Sequence, residues 1–416
     1  MKKVLVVGMG ESGKGAALWL RSLGRQVLVC DSNPDKIKGD WNLLSDPTSL
    51  TSKAFDQVVI SPGIEPSSNA LIKKAYKEGI EVIGELELAL RSIRGPVIAI
   101  TGTNGKTTLA LFLAHLFKQE GVDHTLMGNI GNSACYSLLK SNNPNTLNII
   151  EMSSFQLETV KTRSIDLGII TSFAPDHLDR HGSFESYARA KGNLLKAIKE
   201  EGLLFISSSV KKRMLESDAG LKSAFERVVT ADLEKAKPYA NMALPSSFFS
   251  LSHAIAMHLN IRDQAWENGV HTFEKPRHRL EFVLEHRGIE FYNDSKATNE
   301  EALFFALSYF TKPLVLLLGG ASKGLDLEKI RERVAKSGSR VIVYGEAGQE
   351  LYTALKETNS VFLTHLFKDA VEKSLEIGKK GDIVLLSPAC TSWDQFSRFE
   401  QRGDCFKKII EESRRS

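Results

Sequence analysis

Short apolar stretches alternate with segments of helical periodicity along almost the whole chain. Each stretch is rich in Val, Ile and Leu, and the segments between them repeat apolar residues three and four positions apart. Strands that alternate with helices build parallel sheets, because each helix returns the chain to the start of the next strand. The pattern therefore predicts an α/β fold. The predicted strands are Lys3–Val7, Gln26–Cys30, Gln57–Ile60, Val97–Ile100, Leu147–Ile150, Ile289–Tyr292, Leu314–Leu318, Val341–Tyr344 and Ile383–Leu386.

The series of predicted elements restarts twice. A chain of 416 residues exceeds what one hydrophobic core usually supports. Arg94-Gly95-Pro96 stands directly before a new strand, and Lys275-Pro276-Arg277 precedes the last series. We therefore expect three domains, at residues 1–93, 94–275 and 276–416. The first and third are predicted to be Rossmann-like.

Composition and charge narrow the function classes. Hydrophobic residues make up 42% and charged residues 25%, and the net charge of +4 is spread without a basic block, so no nucleic-acid partner is expected. No apolar run approaches the ~18 residues that cross a bilayer, so no membrane insertion is expected. The four cysteines (Cys30, Cys135, Cys390, Cys405) lie far apart, which fits reduced thiols in a cytoplasmic protein.

The strongest motif is a glycine-rich loop at 100–108, reading ITGTNGKTT, between the strand Val97–Ile100 and a predicted helix Leu109–Phe117. Glycines let backbone N–H groups approach phosphate oxygens, and Lys106 can neutralise phosphate charge while Thr107 reaches Mg²⁺. Ile100 stands where the general pattern has its first glycine. The motif predicts that the central domain is a parallel sheet of the P-loop ATPase type.

Acidic and basic residues that follow the loop suit a metal, although each also has a simpler interpretation. Glu151 ends the strand Leu147–Ile150, where an acid is more often a solvated cap than a ligand. The segment 176–181, reading DHLDRH, suits a divalent cation or a polar turn equally well. Lys191 lies on a predicted helix 184–199, and its spacing predicts only a surface lysine.

The first strand is followed by Gly8-Met9-Gly10-Glu11-Ser12-Gly13, and Asp31 ends the second strand about 20 residues on, as in a dinucleotide-binding fingerprint. The fingerprint fits a nicotinamide-dependent dehydrogenase. It also fits a UDP-sugar, because both ligands carry a pyrophosphate and a ribose. The pattern predicts phosphate binding but does not identify the nucleobase of the ligand.

Three polar segments in the last domain each follow a predicted strand. They are 293–299 (NDSKATN), 318–323 (LGGASK) and 387–393 (SPACTSW). Ligands of α/β proteins bind at the carboxyl ends of parallel strands, so the three loops predict one small-molecule site.

The phosphate loop resembles those of Mur ligases and folylpolyglutamate synthetases. Further matches follow in the order of the Mur ligase family, and a Rossmann-like domain ahead of the loop favours that family. The closing segment is similar to the branch that adds D-glutamate. The matching segments are 128–131 (GNIG), 151–157 (EMSSFQL), 176–181, 293–299 and 387–403 (SPACTSWDQFSRFEQRG).

The resemblance implies a cytoplasmic, monomeric, ATP-dependent ligase of peptidoglycan precursor synthesis. It would join D-glutamate to UDP-N-acetylmuramoyl-L-alanine through an acyl phosphate, so the three domains would bind the UDP-substrate, ATP and the amino acid in that order. The family also implies two Mg²⁺ ions and CO₂ bound as a carbamate on Lys191.

The same resemblance assigns site residues. The catalytic residues would be Lys106, His177 and Lys191, and the metal ligands Thr107, Glu151, His177 and Lys191. ATP would be bound by Gly102, Thr103, Asn104, Gly105, Lys106, Thr107, Thr108, Arg279, Asp294 and Lys296; the UDP-substrate by Gly10, Ser12, Asp31, Gly63 and Asn129; and D-glutamate by Thr298, Lys323, Ser392 and Phe399. The family's adenine-binding turn is replaced here by 246–252 with Phe248, Phe249 and Ser252, so no adenine contact is predicted.

Overall fold

The computed structural model describes residues 3–230, 244–322 and 324–414. Within them lie three sheets of five, six and six strands. The first two sheets belong to one compact unit, which takes in residues to 173, 183–230 and 246–273, and the third belongs to a second unit with residues 174–182, 244–245 and 274 onward. The predicted three-domain α/β fold is confirmed. No helix of the described ranges is both long and apolar enough to cross a membrane.

The first sheet has the order β3-β2-β1-β4-β5, and its strand pairs are parallel. The order reverses at β1, so the loops after β1 and β4 leave a crevice between them at the carboxyl edge. The strands are β1 (Lys3–Val7), β2 (Gln26–Cys30), β3 (Asn42–Leu43), β4 (Gln57–Ile60) and β5 (Glu81–Gly84), and the helices are α1 (Glu11–Ser22), α2 (Ala70–Lys77) and α3 (Glu85–Leu90), with 3₁₀ turns at Pro34–Lys36 and Pro47–Ser49.

The second sheet has the order β11-β10-β9-β6-β8-β7, again parallel, with β6 in the middle. The loops after β6, β8 and β9 are therefore neighbours at one edge. The strands are β6 (Val97–Thr101), β7 (His124–Gly128), β8 (Leu147–Glu151), β9 (Ile165–Ile170), β10 (Ile198–Ile206) and β11 (Val229–Thr230). The helices are α4 (Lys106–Gln119), α5 (Ala134–Lys140), α6 (Ser154–Leu157), α7 (Leu178–His181), α8 (Phe184–Ala197), α9 (Ser208–Ser217), α10 (Lys222–Glu226), α11 (Ser246–His258) and α12 (Asp263–Thr272), with a 3₁₀ turn at Ala219–Leu221.

One apolar core runs from the first sheet into the second. Helix α5 packs against α1 and α3, and buried Ala17 and Leu20 belong to the same core as Ala134 and Leu138. The first two sheets thus share their buried surface.

The third sheet has the order β12-β13-β17-β14-β15-β16. Its β12–β13 pair is antiparallel and the others are parallel, and an apolar core covers each face. Strands β13, β17 and β14 are neighbours, so the three polar loops that follow them meet at one edge as predicted. The strands are β12 (Glu281–His286), β13 (Ile289–Asn293), β14 (Leu314–Gly319), β15 (Arg340–Tyr344), β16 (Val361–Leu363) and β17 (Ile383–Ala389), and the helices are α13 (Glu300–Tyr309), α14 (Leu327–Ser337), α15 (Gly348–Leu355), α16 (Phe367–Ile377) and α17 (Phe399–Ser413).

Candidate active site

The phosphate loop joins β6 to α4 through two glycines with positive φ. Gly102 has φ +143°, and a Cβ added there would lie 2.1 Å from Thr171 Oγ1, so only glycine fits. Gly105 has φ +88° and caps the start of α4. The backbone N–H of Asn104 donates to Ser172 Oγ over 2.8 Å. The loop is therefore held against the start of the loop that follows β9.

Lys106 begins α4 and turns its ammonium group back onto the loop. Its Nζ donates to the carbonyl oxygens of Gly102 and Thr103 over 2.8 and 2.9 Å. Thr107 is half-buried and Thr108 is buried. A cation held at the centre of a glycine-rich loop, at a helix N-terminus, is suited to phosphate.

Lys191 is 1% exposed, so the interpretation as a surface lysine is wrong. Helix α8 carries it across to the phosphate loop, where Nζ donates to the carbonyl of Gly102 over 2.8 Å. The same Nζ lies 4.6 Å from the centroid of the Tyr187 ring, and the Tyr187 hydroxyl is 3.0 Å from Thr103 Oγ1. Two lysines of distant sequence position thus share one carbonyl of the loop.

Glu151 ends β8 and is 1% exposed, so it is not a solvated cap. Its Oε1 accepts a hydrogen bond from Asn129 Nδ2 over 2.8 Å, and the Asn129 N–H donates to the Glu151 carbonyl over 2.8 Å. Oε2 is buried and has no hydrogen-bond partner among the described residues. The structure therefore joins a predicted metal ligand to a residue predicted for the UDP-substrate.

His177 lies in the second compact unit, whereas Lys191 lies in the first. It caps α7 with a left-handed φ of +54°, and its N–H donates to Asp176 Oδ1 over 2.9 Å. Its Nε2 is 3.7 Å from Asp176 Oδ2. No cluster of three His, Cys, Asp or Glu side chains that could hold a metal occurs in the ranges that the structure describes.

At the first sheet, Asp31 ties β2 to the glycine-rich loop. Its carboxylate accepts the N–H groups of Met9 and Asn33 over 2.6 and 2.8 Å. Burial raises the pKa of Asp31, but these two hydrogen bonds and the charge of Lys36 outweigh it and leave the pKa lowered. The carboxylate is ionised at neutral pH and fixes the loop.

The other residues predicted for the UDP-substrate lie in the loops that follow β1 and β4. Gly10 caps α1, Ser12 is half-buried in its first turn, and Gly63 is exposed after β4. A small cleft opens beside the β4 loop and continues to α6, with Glu85 and Gln156 in its wall.

In the third sheet, Asp294 is buried at the end of β13. Its two carboxylate oxygens accept from the N–H of Leu280 and from Ser387 Oγ, over 3.2 and 3.1 Å. Burial raises the pKa of Asp294 to about 7, against these hydrogen bonds and the charge of half-buried Arg279.

The structure brings together some of the residues of this sheet that are predicted to bind the amino-acid substrate. Lys296 Nζ lies 3.8 Å from the centroid of the Phe399 ring, so a residue predicted for ATP touches one predicted for D-glutamate. Thr298 is half-buried and Ser392 is buried in neighbouring loops. Lys323 lies outside the described residues.

Arg402 was not singled out from the sequence, yet it is fully buried beneath these loops. Its guanidinium donates to Ser295 Oγ and O over 3.0 and 2.9 Å, and to the carbonyls of Thr391 and Cys390 over 3.1 and 3.0 Å. One side chain therefore ties the loop after β13 to the loop after β17.

Phe248, Phe249 and Ser252 are buried in α11. The Phe248 ring meets the Phe112 ring edge-on at 5.2 Å, and Ser252 Oγ accepts from Trp266 Nε1 over 3.2 Å. These side chains pack α11 against α4 and α12.

Three family models match successive parts of the chain. They are the Mur ligase MurD-like N-terminal domain over residues 2–84, the Mur ligase middle domain over 100–274 and the Mur ligase glutamate ligase domain over 278–390.

Curated relatives match over their full length. A protein of Caldanaerobacter subterraneus subsp. tengcongensis is 36% identical, covering 100% of this chain and 99% of its own, and one of Protochlamydia amoebophila is 32% identical, covering 98% of each. Both are named UDP-N-acetylmuramoylalanine–D-glutamate ligase.

Solved structures share the fold at lower identity. MurF ligase from Thermotoga maritima in complex with ADP has a TM-score of 0.62 at 14% identity, covering 88% of this chain and 97% of that one. A pseudomurein peptide ligase type C from Methanothermus fervidus has a TM-score of 0.60 at 18% identity, covering 99% and 100%. With its three matching domain models and full-length relatives, the chain belongs to the Mur ligase family of ATP-dependent ligases.

Proposed function

We propose that this enzyme uses ATP to join D-glutamate to UDP-N-acetylmuramoyl-L-alanine in peptidoglycan precursor synthesis. The observation that carries the proposal is the phosphate loop, where Lys106 and buried Lys191 meet at the carbonyl of Gly102. The name of the full-length relatives supports the choice of substrates.

The reaction needs two displacements. A carboxylate oxygen of the substrate's L-alanyl group attacks the γ-phosphorus of ATP, the bond to the bridging oxygen breaks, and ADP leaves. The amine of D-glutamate then attacks the acyl phosphate, loses a proton and expels phosphate. Lys106 exchanges its carbonyl partners for phosphate oxygens and stabilises the negative charge on the phosphoryl group during its transfer.

Magnesium fits the residues at the loop. Glu151 offers a buried carboxylate oxygen that has no hydrogen-bond partner in the described part of the chain, and Thr107 lies at the helix start. Such hard oxygen ligands suit this ion. When bound, Mg²⁺ would neutralise phosphate charge. Glu151, held by Asn129, would keep its free oxygen turned to the ion.

Lys191 is proposed to react with CO₂. The ammonium group first loses a proton, the neutral amine nitrogen then forms a bond to the carbon of CO₂, and a second proton leaves. The cationic side chain thereby becomes an anionic carbamate, whose oxygens would hold a second Mg²⁺ together with His177. The burial of Lys191 supports this role, since a carbamate there would be shielded from bulk water.

The two other substrates are assigned to the first and third sheets. The loops after β1, β2 and β4, with Gly10, Ser12, Asp31 and Gly63, would hold the UDP-substrate together with Asn129. Arg279, Asp294 and Lys296 would contact ATP. Thr298, Lys323, Ser392 and Phe399 would bind the two carboxylates and the carbon chain of D-glutamate.

Two rival functions each leave part of the candidate site unexplained. A nicotinamide dehydrogenase would explain the Gly8–Gly13 loop but leaves Lys106, Lys191 and Glu151 without a role. A nucleotide-binding regulator would not need the three polar loops of the third sheet.

We expect a cytoplasmic monomer. Sedimentation of the purified protein would test the monomeric state.

The proposal is tested by phosphate release from ATP with UDP-N-acetylmuramoyl-L-alanine and D-glutamate, L-glutamate, L-alanine or meso-diaminopimelate. D-glutamate should give the highest rate. A preference for another amino acid would reject D-glutamate as the acceptor substrate, but it would remain consistent with a ligase. Lys323→Ala should reduce the use of D-glutamate about ten- to a hundredfold, because it removes a charge-assisted hydrogen bond.

A further inference from the structure

Glu85 is a buried carboxylate that the proposed reaction does not use. It begins α3, is 1% exposed, and lies in the wall of the cleft beside β4. Its Oε1 accepts the N–H of Cys135 in α5 over 2.6 Å, and its backbone carbonyl accepts from Cys135 Sγ over 3.4 Å. Glu85 therefore fastens the first sheet's last helix to the start of a helix of the second sheet.

The contact is incomplete. Glu85 Oε2 and Ser133 Oγ are both buried, and neither has a hydrogen-bond partner among the described residues. Burial raises the pKa of Glu85 to about 7, while the hydrogen bonds from Cys135 act to lower it. Two unpartnered buried atoms are costly, so a small movement that joins them would be favoured.

A short chain of contacts leads from this junction to the phosphate site. Ser133 follows a tight turn in which the N–H of Gly128 donates to the Asn132 carbonyl over 3.0 Å. Inside the turn, Asn129 binds Glu151 through both its N–H and its side-chain amide. The side-chain bond between Asn129 and Glu151 is partly buried, although Asn129 and Asn132 are themselves exposed. Together with the peptide bond from Asn132 to Ser133, these hydrogen bonds connect the start of α5 to Glu151.

We propose that Glu85 is a positioning residue that couples the cleft of the first sheet to Glu151 at the phosphate loop. Substrate in the cleft moves α3, Glu85 carries the movement to α5 and the Gly128–Asn132 turn, and Asn129 sets the carboxylate of Glu151. The inference rests on the proposed function for the identity of the two ligands.

Glu87 provides a matched control on the same helix. It is buried too, but its carboxylate accepts from the N–H groups of Lys161 and Thr162 over 2.8 and 3.1 Å and from Thr162 Oγ1 over 2.6 Å. It joins the same two sheets, and none of its described hydrogen bonds goes to α5. Loss of Glu87 should loosen the junction but leave the link to Glu151.

The test is calorimetry of a non-hydrolysable ATP analogue with Mg²⁺, with and without UDP-N-acetylmuramoyl-L-alanine. In the wild type the substrate should tighten binding of the analogue about 5- to 150-fold, the usual range for coupled sites. In Glu85→Ala the effect should fall below about twofold. Glu85→Gln should keep it, because the amide oxygen can accept from Cys135 and the amide nitrogen can donate to Ser133. Glu87→Ala should also keep it.

Equal loss of coupling in Glu85→Ala and Glu87→Ala, or no coupling in the wild type, would overturn the inference. Failure of the wild type to bind the UDP-substrate would instead reject the proposed function. In that case, exchange of backbone amide hydrogens still tests the link from Glu85 to Glu151, because it does not require the substrate. Glu85→Ala, or the milder Ser133→Ala, should speed exchange of the Cys135 and Asn129 amides, whereas Glu87→Ala should speed it at Lys161 and Thr162. Unchanged exchange at Asn129 in both Glu85→Ala and Ser133→Ala would overturn the link.

Discussion

At the scale of single residues, burial distinguishes one lysine proposed to take part in the reaction from another on the same helix. Lys191 and Lys196 lie on the same helix, yet Lys191 is buried against the phosphate loop while Lys196 is exposed and bonds only to its own helix neighbour Asn193 in the described contacts. A cation in the protein interior needs a partner or a reaction that removes its charge. The proposed carbamate supplies such a reaction.

Lys191→Ala should lower the rate of phosphate release at least about a hundredfold, because a buried charge-bearing ligand is lost beside the reacting phosphate. Small carboxylic acids added to the assay should restore part of the rate by filling the space of the carbamate. Lys196→Ala is the control and should behave as the wild type. Near-normal turnover of Lys191→Ala would reject the carbamate.

Asp294 should make stability depend on pH. A pKa that rises from 3.8 to about 7 on folding means that the folded chain holds the proton more tightly, which corresponds to about 4 kcal/mol between the two protonation states. The stability that protonated Asp294 contributes to the folded chain is therefore fully present below about pH 4. It is lost as the pH rises to about 7.

The measurement is urea unfolding of wild type and Asp294→Asn between pH 4 and 8. The variant should gain about 2 to 4 kcal/mol relative to the wild type across that range, because its amide never ionises. A pH-independent difference for Asp294→Asn would contradict the prediction.

At the scale of elements, the two glycines of the phosphate loop should differ in sensitivity. Gly102→Ala combines a positive φ with a 2.1 Å clash, whereas a Cβ on Gly105 would meet its nearest neighbour at 3.6 Å. We expect losses of about 2 to 4 kcal/mol for Gly102→Ala and about 1 to 2 kcal/mol for Gly105→Ala. Denaturant unfolding measures both, and equal losses would show that the loop relaxes around the clash.

Arg402 supports the loops of the third sheet. Arg402→Met removes four buried hydrogen bonds and leaves the carbonyls of Ser295, Cys390 and Thr391 without this donor. The free energy of unfolding should fall by about 3 to 5 kcal/mol. Arg402→Lys should restore only part of it, because an ammonium group cannot reproduce the planar fork. Full restoration by lysine would contradict this account.

Nine of the seventeen described strands were predicted, because the apolar character of those nine is local. Buried β8 and β14 read directly as runs of Val, Ile and Leu, and the phosphate loop carries its chemistry within nine consecutive residues. Eight described strands were not predicted, namely β3, β5, β7, β9, β10, β11, β12 and β16. In β12, which reads Glu-Phe-Val-Leu-Glu-His, no residue is buried. The burial of Lys191 depends on a partner 89 positions away, and that of Arg402 on one 107 positions away. No local pattern contains such contacts.

At the scale of the whole molecule, the identity of the ligand at the first sheet distinguishes a ligase from a dehydrogenase. The order of strands places the loops after β1 and β4 around one crevice, which suits a pyrophosphate of either ligand. Calorimetry should show binding of UDP-N-acetylmuramoyl-L-alanine and none of NAD. Tight NAD binding without heat from the UDP-sugar would revive the dehydrogenase.

The apolar core shared by the first two sheets limits how far the enzyme is modular. A chain shortened to begin at Arg94 would keep a complete second sheet, yet it would expose Ala134 and Leu138, which now pack with Ala17 and Leu20. Exposed apolar surface of this kind promotes aggregation. The boundary that a sequence comparison draws between these domains is therefore not a boundary of folding, and the two sheets should be lost in a single cooperative transition.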